Sequence, residues 1–157
     1  MAQITWKRRR RKIGSLERGV GEKGAVQVEF ALTILTILFV MFWMWEMIMV
    51  VYTLNVLSDA AKEGVRYAIV RGGNPGGVAA PGPSGPGNTT AIENRVKDYA
   101  KFSMHDITAI TVNVTYPDGS NVAPNRVRVE VAYNFIPYTA LPVAPLLRAA
   151  AEGRVVY

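Results

Sequence analysis

Hydrophobic residues are concentrated near the start of the chain. From Ala25 to Glu63 the sequence contains neither glycine nor proline, and from Phe30 to Trp45 it contains no charged residue. An uninterrupted apolar run of this length is typical of a membrane-spanning helix. Ala25–Trp45 would be about 31 Å long as an α-helix, which matches the thickness of one bilayer core. The run also exceeds the apolar core of a secretory signal peptide and ends without a small-x-small cleavage site.

The same helix is predicted to continue outside the membrane. Its apolar residues recur at steps of three and four, at Leu54, Leu57, Ala61, Val65 and Ala68. Polar and charged residues occupy the opposite flank, at Asn55, Ser58, Asp59, Lys62, Glu63 and Arg66. This spacing indicates one amphipathic face. We therefore predict a single helix over about residues 25–71, ended by Gly72 and Gly73.

Residues 72–88 separate this helix from a smaller C-terminal region. Seven glycines and four prolines fill 11 of these 17 positions, which is the composition of a flexible linker or loop. The region that follows, residues 89–157, is predicted to be a small extracytoplasmic domain. It opens with a capping box, Thr90-x-x-Glu93, that predicts a short helix ending near Phe102.

Strand patterns dominate the remainder of this domain. Apolar and polar residues alternate over residues 110–116 and again over 127–135, with a turn at 117–121, so a β-hairpin is predicted. After Pro145, Leu146–Ala151 is predicted as a short helix and residues 154–157 as a final strand. The expected fold class is α+β, with a small antiparallel sheet packed on the short helix and on the outer half of the long helix.

The positive charge lies almost entirely at the N-terminus. The chain has 18 basic and 12 acidic residues, a net charge of +6, and residues 1–24 alone carry eight basic and two acidic residues. Residues 25–157 are therefore neutral and offer no basic face to nucleic acid. Basic residues beside a span stay on the cytoplasmic side, so the leader is predicted to be cytoplasmic and the C-terminal domain to lie outside the membrane.

Candidate catalytic chemistry is sparse. The chain lacks cysteine and has one histidine, His105, so neither a metal site nor a cofactor is expected. Gly19–Gly24 matches G-x-G-x-x-G, but a basic tail precedes it where a dinucleotide-binding site needs a strand. An enzyme on the outer face would have to use His105, Asp106, Asp118 or Glu130, and these residues form no recognisable signature. We expect neither catalysis nor a small-molecule substrate.

Two carboxylates lie in or beside the apolar run. If residues 25–45 span the membrane, Glu29 lies in the hydrocarbon and Glu46 at its outer edge; if residues 30–50 span it, Glu46 is submerged instead. A charge at the bilayer centre costs about 2.5–3.5 kcal/mol, so such a group is usually paired, protonated or functional. If the chain were cut after Gly24, the new α-ammonium group of Ala25 would lie one helical turn from Glu29. That pair could form within one subunit or between neighbours.

The residues around this position resemble those of a known family. The segment KGAVQVEF, which includes Gly24, Ala25, Glu29 and Phe30, is similar to a type IV prepilin-like processing site. Residues further along match the pattern of TadE-like minor pilins, namely Glu46, Tyr52, Asn55, Leu57, Ala60, Ala61, Glu63, Arg66 and Tyr67. The chain departs from that pattern where Leu35 replaces a proline, at Met49 and Leu54, and where Gly64 and Val65 replace two alanines.

The resemblance implies a minor pilin, or pseudopilin, of the tight-adherence (Flp-type) pilus system. Such a protein is cut by a prepilin peptidase, here after Gly24, and waits in the cytoplasmic membrane as a single-pass subunit. Its partners are then the peptidase, the other pilins, the pilus platform proteins and the lipid bilayer. The alternative is a permanent single-pass anchor for an extracytoplasmic binding or sensor domain, which would keep residues 1–24.

Overall fold

The computed structural model describes the backbone of residues 14–73, 84–101, 104, 106–139 and 144–156, with side chains from Gly24 onward. The chain divides into two compact units, Met1–Trp43 and Met44–Tyr157. Helix α1, Gly14–Val70, contributes to both. Within Gly24–Val70 this helix is long and apolar enough to cross a membrane. The predicted span and the α+β fold class are confirmed to that extent.

The start of α1 differs from the prediction. The helix begins at Gly14 rather than at about Ala25, although glycines occur at positions 19, 21 and 24. Once a helix is nucleated, each added residue requires only propagation, and an isolated glycine costs about 1 kcal/mol rather than ending the helix. Strong helix formers such as Leu16, Glu17 and Arg18 lie between these glycines. That residues 1–24 form a leader removed by cleavage stays a prediction.

The first unit contains the apolar half of α1. Every residue from Gly24 to Trp43 is exposed in the single chain, including large side chains such as Phe30, Leu35 and Phe42. Burying a side chain of this size is worth about 1.5–3 kcal/mol. This surface therefore requires an apolar environment outside the chain.

The second unit packs helices on one face of a three-stranded antiparallel sheet. After α2, Thr90–Ala100, the strands are β1, Ile110–Thr115, β2, Arg126–Asn134, and β3, Leu146–Arg154. They lie in the order β1-β2-β3. The inward residues of β2, Val127, Val129, Val131 and Tyr133, are fully or almost fully buried, as their alternation predicted.

The end of the chain corrects two predictions. Leu146–Ala151 is not a helix but the first part of β3, and the last strand ends at Arg154 instead of occupying residues 154–157. Alanine has the highest helix propensity, but intrinsic propensity is worth less than about 1 kcal/mol per residue, and pairing along the whole of β2 overrides it. Small residues also let β3 approach α1, because a Cβ at Gly153 would lie 2.6 Å from the Val65 Cγ1 atom.

The core confirms the predicted face of α1 with one exception. Leu57, Ala61, Val65 and Ala68 are buried together with residues of α2 and the sheet, whereas Leu54 is 38% exposed. An equally close approach occurs at Gly64. A Cβ there would lie 2.6 Å from Val96 Cγ2 of α2 and 3.3 Å from Val129 Cγ1 of β2. Gly64 therefore lies where α2 and β2 both pack closely against α1.

The start of α2 corrects the predicted cap. The N-cap is Thr89, not Thr90, because the Thr89 carbonyl accepts hydrogen bonds from the backbone N–H groups of Ile92 and Glu93. The Thr89 hydroxyl donates to the Glu93 carboxylate at 2.6 Å and bonds no backbone N–H group. Glu93 is therefore one position too late for a reciprocal capping box.

The glycine- and proline-rich segment is held together at its two ends. The Ser84 N–H donates to the Arg71 carbonyl at 3.1 Å, and the Gly73 N–H donates to the Asn121 carbonyl at 3.0 Å. The Asn121 side-chain amide in turn donates to the Ser84 carbonyl at 2.8 Å. These bonds bring the two described ends of the segment close together; residues 74–83 lie outside the described residues.

Candidate functional site

The predicted processing residues lie on the exposed, apolar half of α1. A Cβ added to Gly24 would meet nothing within 4 Å, and Phe30 is 65% exposed. Ala25 and Glu29 are four residues apart in the helix, so they share one face. The Glu29 side chain is exposed and has no hydrogen bond or ion pair among the described residues, while its backbone carbonyl accepts from the Thr33 hydroxyl at 2.9 Å.

Glu46 is in the opposite situation. Its side chain is 0% exposed, although its helical neighbours Trp45 and Met47 are about half exposed. One carboxylate oxygen, Oε1, accepts the Tyr138 N–H at 3.1 Å. The other, Oε2, accepts the Thr139 N–H at 3.1 Å and the Thr139 hydroxyl at 2.7 Å. Three donors compensate for the burial of a carboxylate.

This arrangement separates the two carboxylates that the sequence left as alternatives. Glu46 is enclosed by its own chain, through residues 92 and 93 positions away in sequence. Glu29 is open to whatever surrounds the apolar helix. The sequence analysis did not identify Tyr138 and Thr139, because nothing in the pattern of residues 135–145 indicates hydrogen bonds to a distant carboxylate.

The predicted outer-helix motif divides into core and surface residues. Leu57, Ala60 and Ala61 are fully buried, and they form the packing face of α1. Tyr52 and Asn55 are exposed. This half of the motif therefore combines a structural stripe with a free surface.

The remaining motif residues form a polar cluster with α2. Glu63 Oε1 accepts two hydrogen bonds from Arg95, at 2.7 Å from Nη2 and 3.2 Å from Nε, while Arg66 approaches Glu63 more loosely at 3.7 Å. The Tyr67 hydroxyl accepts from Arg71 at 2.6 Å, and the Arg71 guanidinium also lies 4.3 Å above the Tyr67 ring. Bonding to Glu63 raises the pKa of Arg95. Arg95 was not anticipated from the sequence.

The residues considered for catalysis are engaged locally instead. His105 lies outside the described residues. Asp106 accepts bonds from the Thr108 N–H and hydroxyl, and Glu130 pairs with Arg128 at 2.8 Å. Asp118 is bonded by the Arg126 side chain and backbone N–H, which lowers its pKa to about 2. No group of three acidic or histidine side chains suited to a metal ion occurs in the described part of the chain.

Comparison with known proteins adds one finding. Residues 24–66 match the family model of TadE-like proteins. This segment is TadE-like. The match begins at Gly24 and ends at Arg66, so it includes both predicted carboxylates and most of the outer-helix motif. None of the curated proteins and none of the solved structures matches the chain. The match covers 43 of the 157 residues of the chain.

Proposed function

We propose that the protein is a minor pilin, or pseudopilin, of the tight-adherence pilus. The observation that carries the proposal is the start of the TadE-like segment at Gly24, directly after the basic leader. A prepilin peptidase would cut between Gly24 and Ala25 and release residues 1–24. The mature chain would then take part in pilus assembly or initiation, and it would catalyse no reaction itself.

The exposed apolar half of α1 supports this role. Before assembly, lipid would cover residues 25–45, with the N-terminus in the cytoplasm and the C-terminal domain outside. During assembly, the helices of other pilins would replace the lipid on the same surface. A helix that is apolar on all sides and exposed from Gly24 to Trp43 suits both environments.

Glu29 would make the replacement of lipid by the helices of other pilins specific. Cleavage would create an α-ammonium group at Ala25, and the open Glu29 carboxylate of a neighbouring subunit could bind it. A charge pair of this kind in an apolar environment would favour assembly and fix the axial register of the two helices. Glu46 cannot take that part without leaving Tyr138 and Thr139.

A substitution at the cleavage site tests the proposal. We expect Gly24→Val to abolish removal of the leader in cells that express a prepilin peptidase, while Val28→Ala, at an exposed position on the same helix, is processed normally. Because a Cβ added at Gly24 would meet no described residue within 4 Å, the loss could not be attributed to a packing defect. Persistence of the leader in the unaltered protein would favour the alternative, a permanently anchored extracytoplasmic domain.

A further inference from the structure

We infer that residues 136–139 and 144–146, on either side of the connection between β2 and β3, make a second contact with the membrane, at the lipid–water boundary. The inference rests on the proposed membrane anchoring, and it adds an interaction surface to the C-terminal domain. The described residues that carry it are Ile136–Thr139 and Ala144–Leu146. Their partner is the outer surface of the bilayer.

The first step is the position of this connection along α1. Tyr138 and Thr139 are bonded to Glu46, which directly follows the predicted span of residues 25–45. The connection therefore lies beside the part of α1 that would leave the membrane. Its neighbours on α1 are apolar and exposed, with Trp45 at 56% and Ile48 at 60%.

The second step is the chemistry of the connection itself. The described residues 135–139 and 144–147 contain no charged side chain, and the hydroxyl groups of Tyr138 and Thr139 are their polar side-chain groups. The Tyr138 ring is 43% exposed and Leu146 is 49% exposed. Tyrosine is enriched at membrane interfaces because its ring is apolar and its hydroxyl is polar. Glu46, the one charge in this neighbourhood of α1, is concealed by the same connection.

The third step is the contrast with the opposite end of the sheet. Antiparallel β2 places the 116–125 turn at its other end, and that turn is polar and carries the Asp118–Arg126 ion pair. Asn121 in this turn is bonded to Gly73 and Ser84, just beyond the end of α1. The domain thus has one apolar end, at Glu46, and one polar end, where α1 finishes. The apolar end is the one bonded to Glu46, which directly follows residue 45 in sequence.

The chain contains no cysteine, so single-cysteine variants provide the test. The full-length protein would be reconstituted in vesicles of phosphatidylethanolamine and phosphatidylglycerol, with an environment-sensitive fluorophore at Tyr138→Cys. The matched control is Val122→Cys, which is 48% exposed in the polar turn. Val40→Cys, within the span, reports anchoring itself. Leu146→Cys repeats the measurement should the Tyr138 variant fail to fold.

We expect spin-labelled lipids to quench the probes at positions 138 and 146 several-fold more strongly than the probe at position 122, and iodide to quench them less. Quenching at 138 and 146 equal to that at 122, with position 40 in lipid, would overturn this inference alone. If position 40 were also open to iodide, the membrane anchoring would fail and the inference with it. Protection at 138 that vanishes as the protein is diluted with lipid would show a second copy on this surface and would likewise overturn it.

Discussion

Replacing Glu46 by glutamine should release one of its two backbone partners selectively. Glutamine keeps one oxygen and substitutes an NH2 group for the other, and that group cannot accept from an N–H donor. At the Oε1 position the NH2 group would remove the hydrogen bond from the Tyr138 N–H. At the Oε2 position it would remove the bond from the Thr139 N–H and would also require the Thr139 hydroxyl, whose 2.7 Å bond is the shortest of the three, to turn and accept instead. The amide should therefore orient with its oxygen toward Thr139.

The magnitude follows from the kind of bond that is lost. A hydrogen bond to a charged group contributes about 1.5–3 kcal/mol. At about 1.4 kcal/mol per factor of ten, the Tyr138 amide should exchange with deuterium about 10- to 100-fold faster in Glu46→Gln. The Thr139 amide should change by no more than a few-fold. Glu46→Ala, which removes both acceptors, should accelerate both amides.

Residue-resolved hydrogen–deuterium exchange on the full-length protein in micelles measures these rates. Glu130→Gln serves as the control, because that carboxylate pairs with Arg128 on the sheet and has no bond to residues 138 or 139. Unchanged exchange at both amides in Glu46→Gln and Glu46→Ala would refute the enclosure of Glu46. Faster exchange at Thr139 alone would refute the reasoning about the amide orientation.

Three further predictions concern the packed domain. Gly64→Ala should destabilise it by up to about 2 kcal/mol. Overpacking against Val96 costs about 1–3 kcal/mol, and the gain in helix propensity offsets about 1 kcal/mol of that cost. A denaturation experiment that shows net stabilisation would contradict this prediction. Tyr116→Phe should raise stability by up to about 1 kcal/mol, since its buried hydroxyl has no hydrogen-bond partner among the described residues, and a loss of stability would show that one exists. Arg126 lowers the pKa of Asp118 from 3.8 to about 2, so the stabilising contribution of Asp118 should be present above about pH 4 and disappear as the pH falls through 2. The thermal unfolding temperature of Asp118→Asn should therefore differ from that of the parent at about pH 5 and converge with it near about pH 2.

Local periodicity was sufficient to predict most elements of the fold. The spacing of Leu57, Ala61, Val65 and Ala68 identified the buried face of α1, and the alternation over residues 127–135 identified the buried face of β2. In each case the element buries one face, so its apolar residues recur with the period of a helix or of a strand. The exposed Leu54 shows the limit, because Thr53 and Leu57 form the buried face at this level of α1 instead.

Long-range contacts explain what periodicity could not predict. The alanine-rich start of β3 has a helix-favouring composition, and only its pairing with β2 makes it a strand. Gly64 departs from the alanine typical of TadE-like sequences, and the approach of Val96 gives a steric reason that no local pattern contains. The hydrogen bonds from Tyr138 and Thr139 to Glu46 likewise join residues more than 90 positions apart.

The N-terminal residue of the mature protein tests the central claim most directly. The protein would be isolated from its native membrane, in cells with a working prepilin peptidase, and its N-terminus determined by mass spectrometry. A chain that begins at Ala25 is the result we predict, and it would place the Ala25 ammonium group one turn from Glu29. A chain that retains residues 1–24 would contradict the pilin proposal and leave a single-pass anchor.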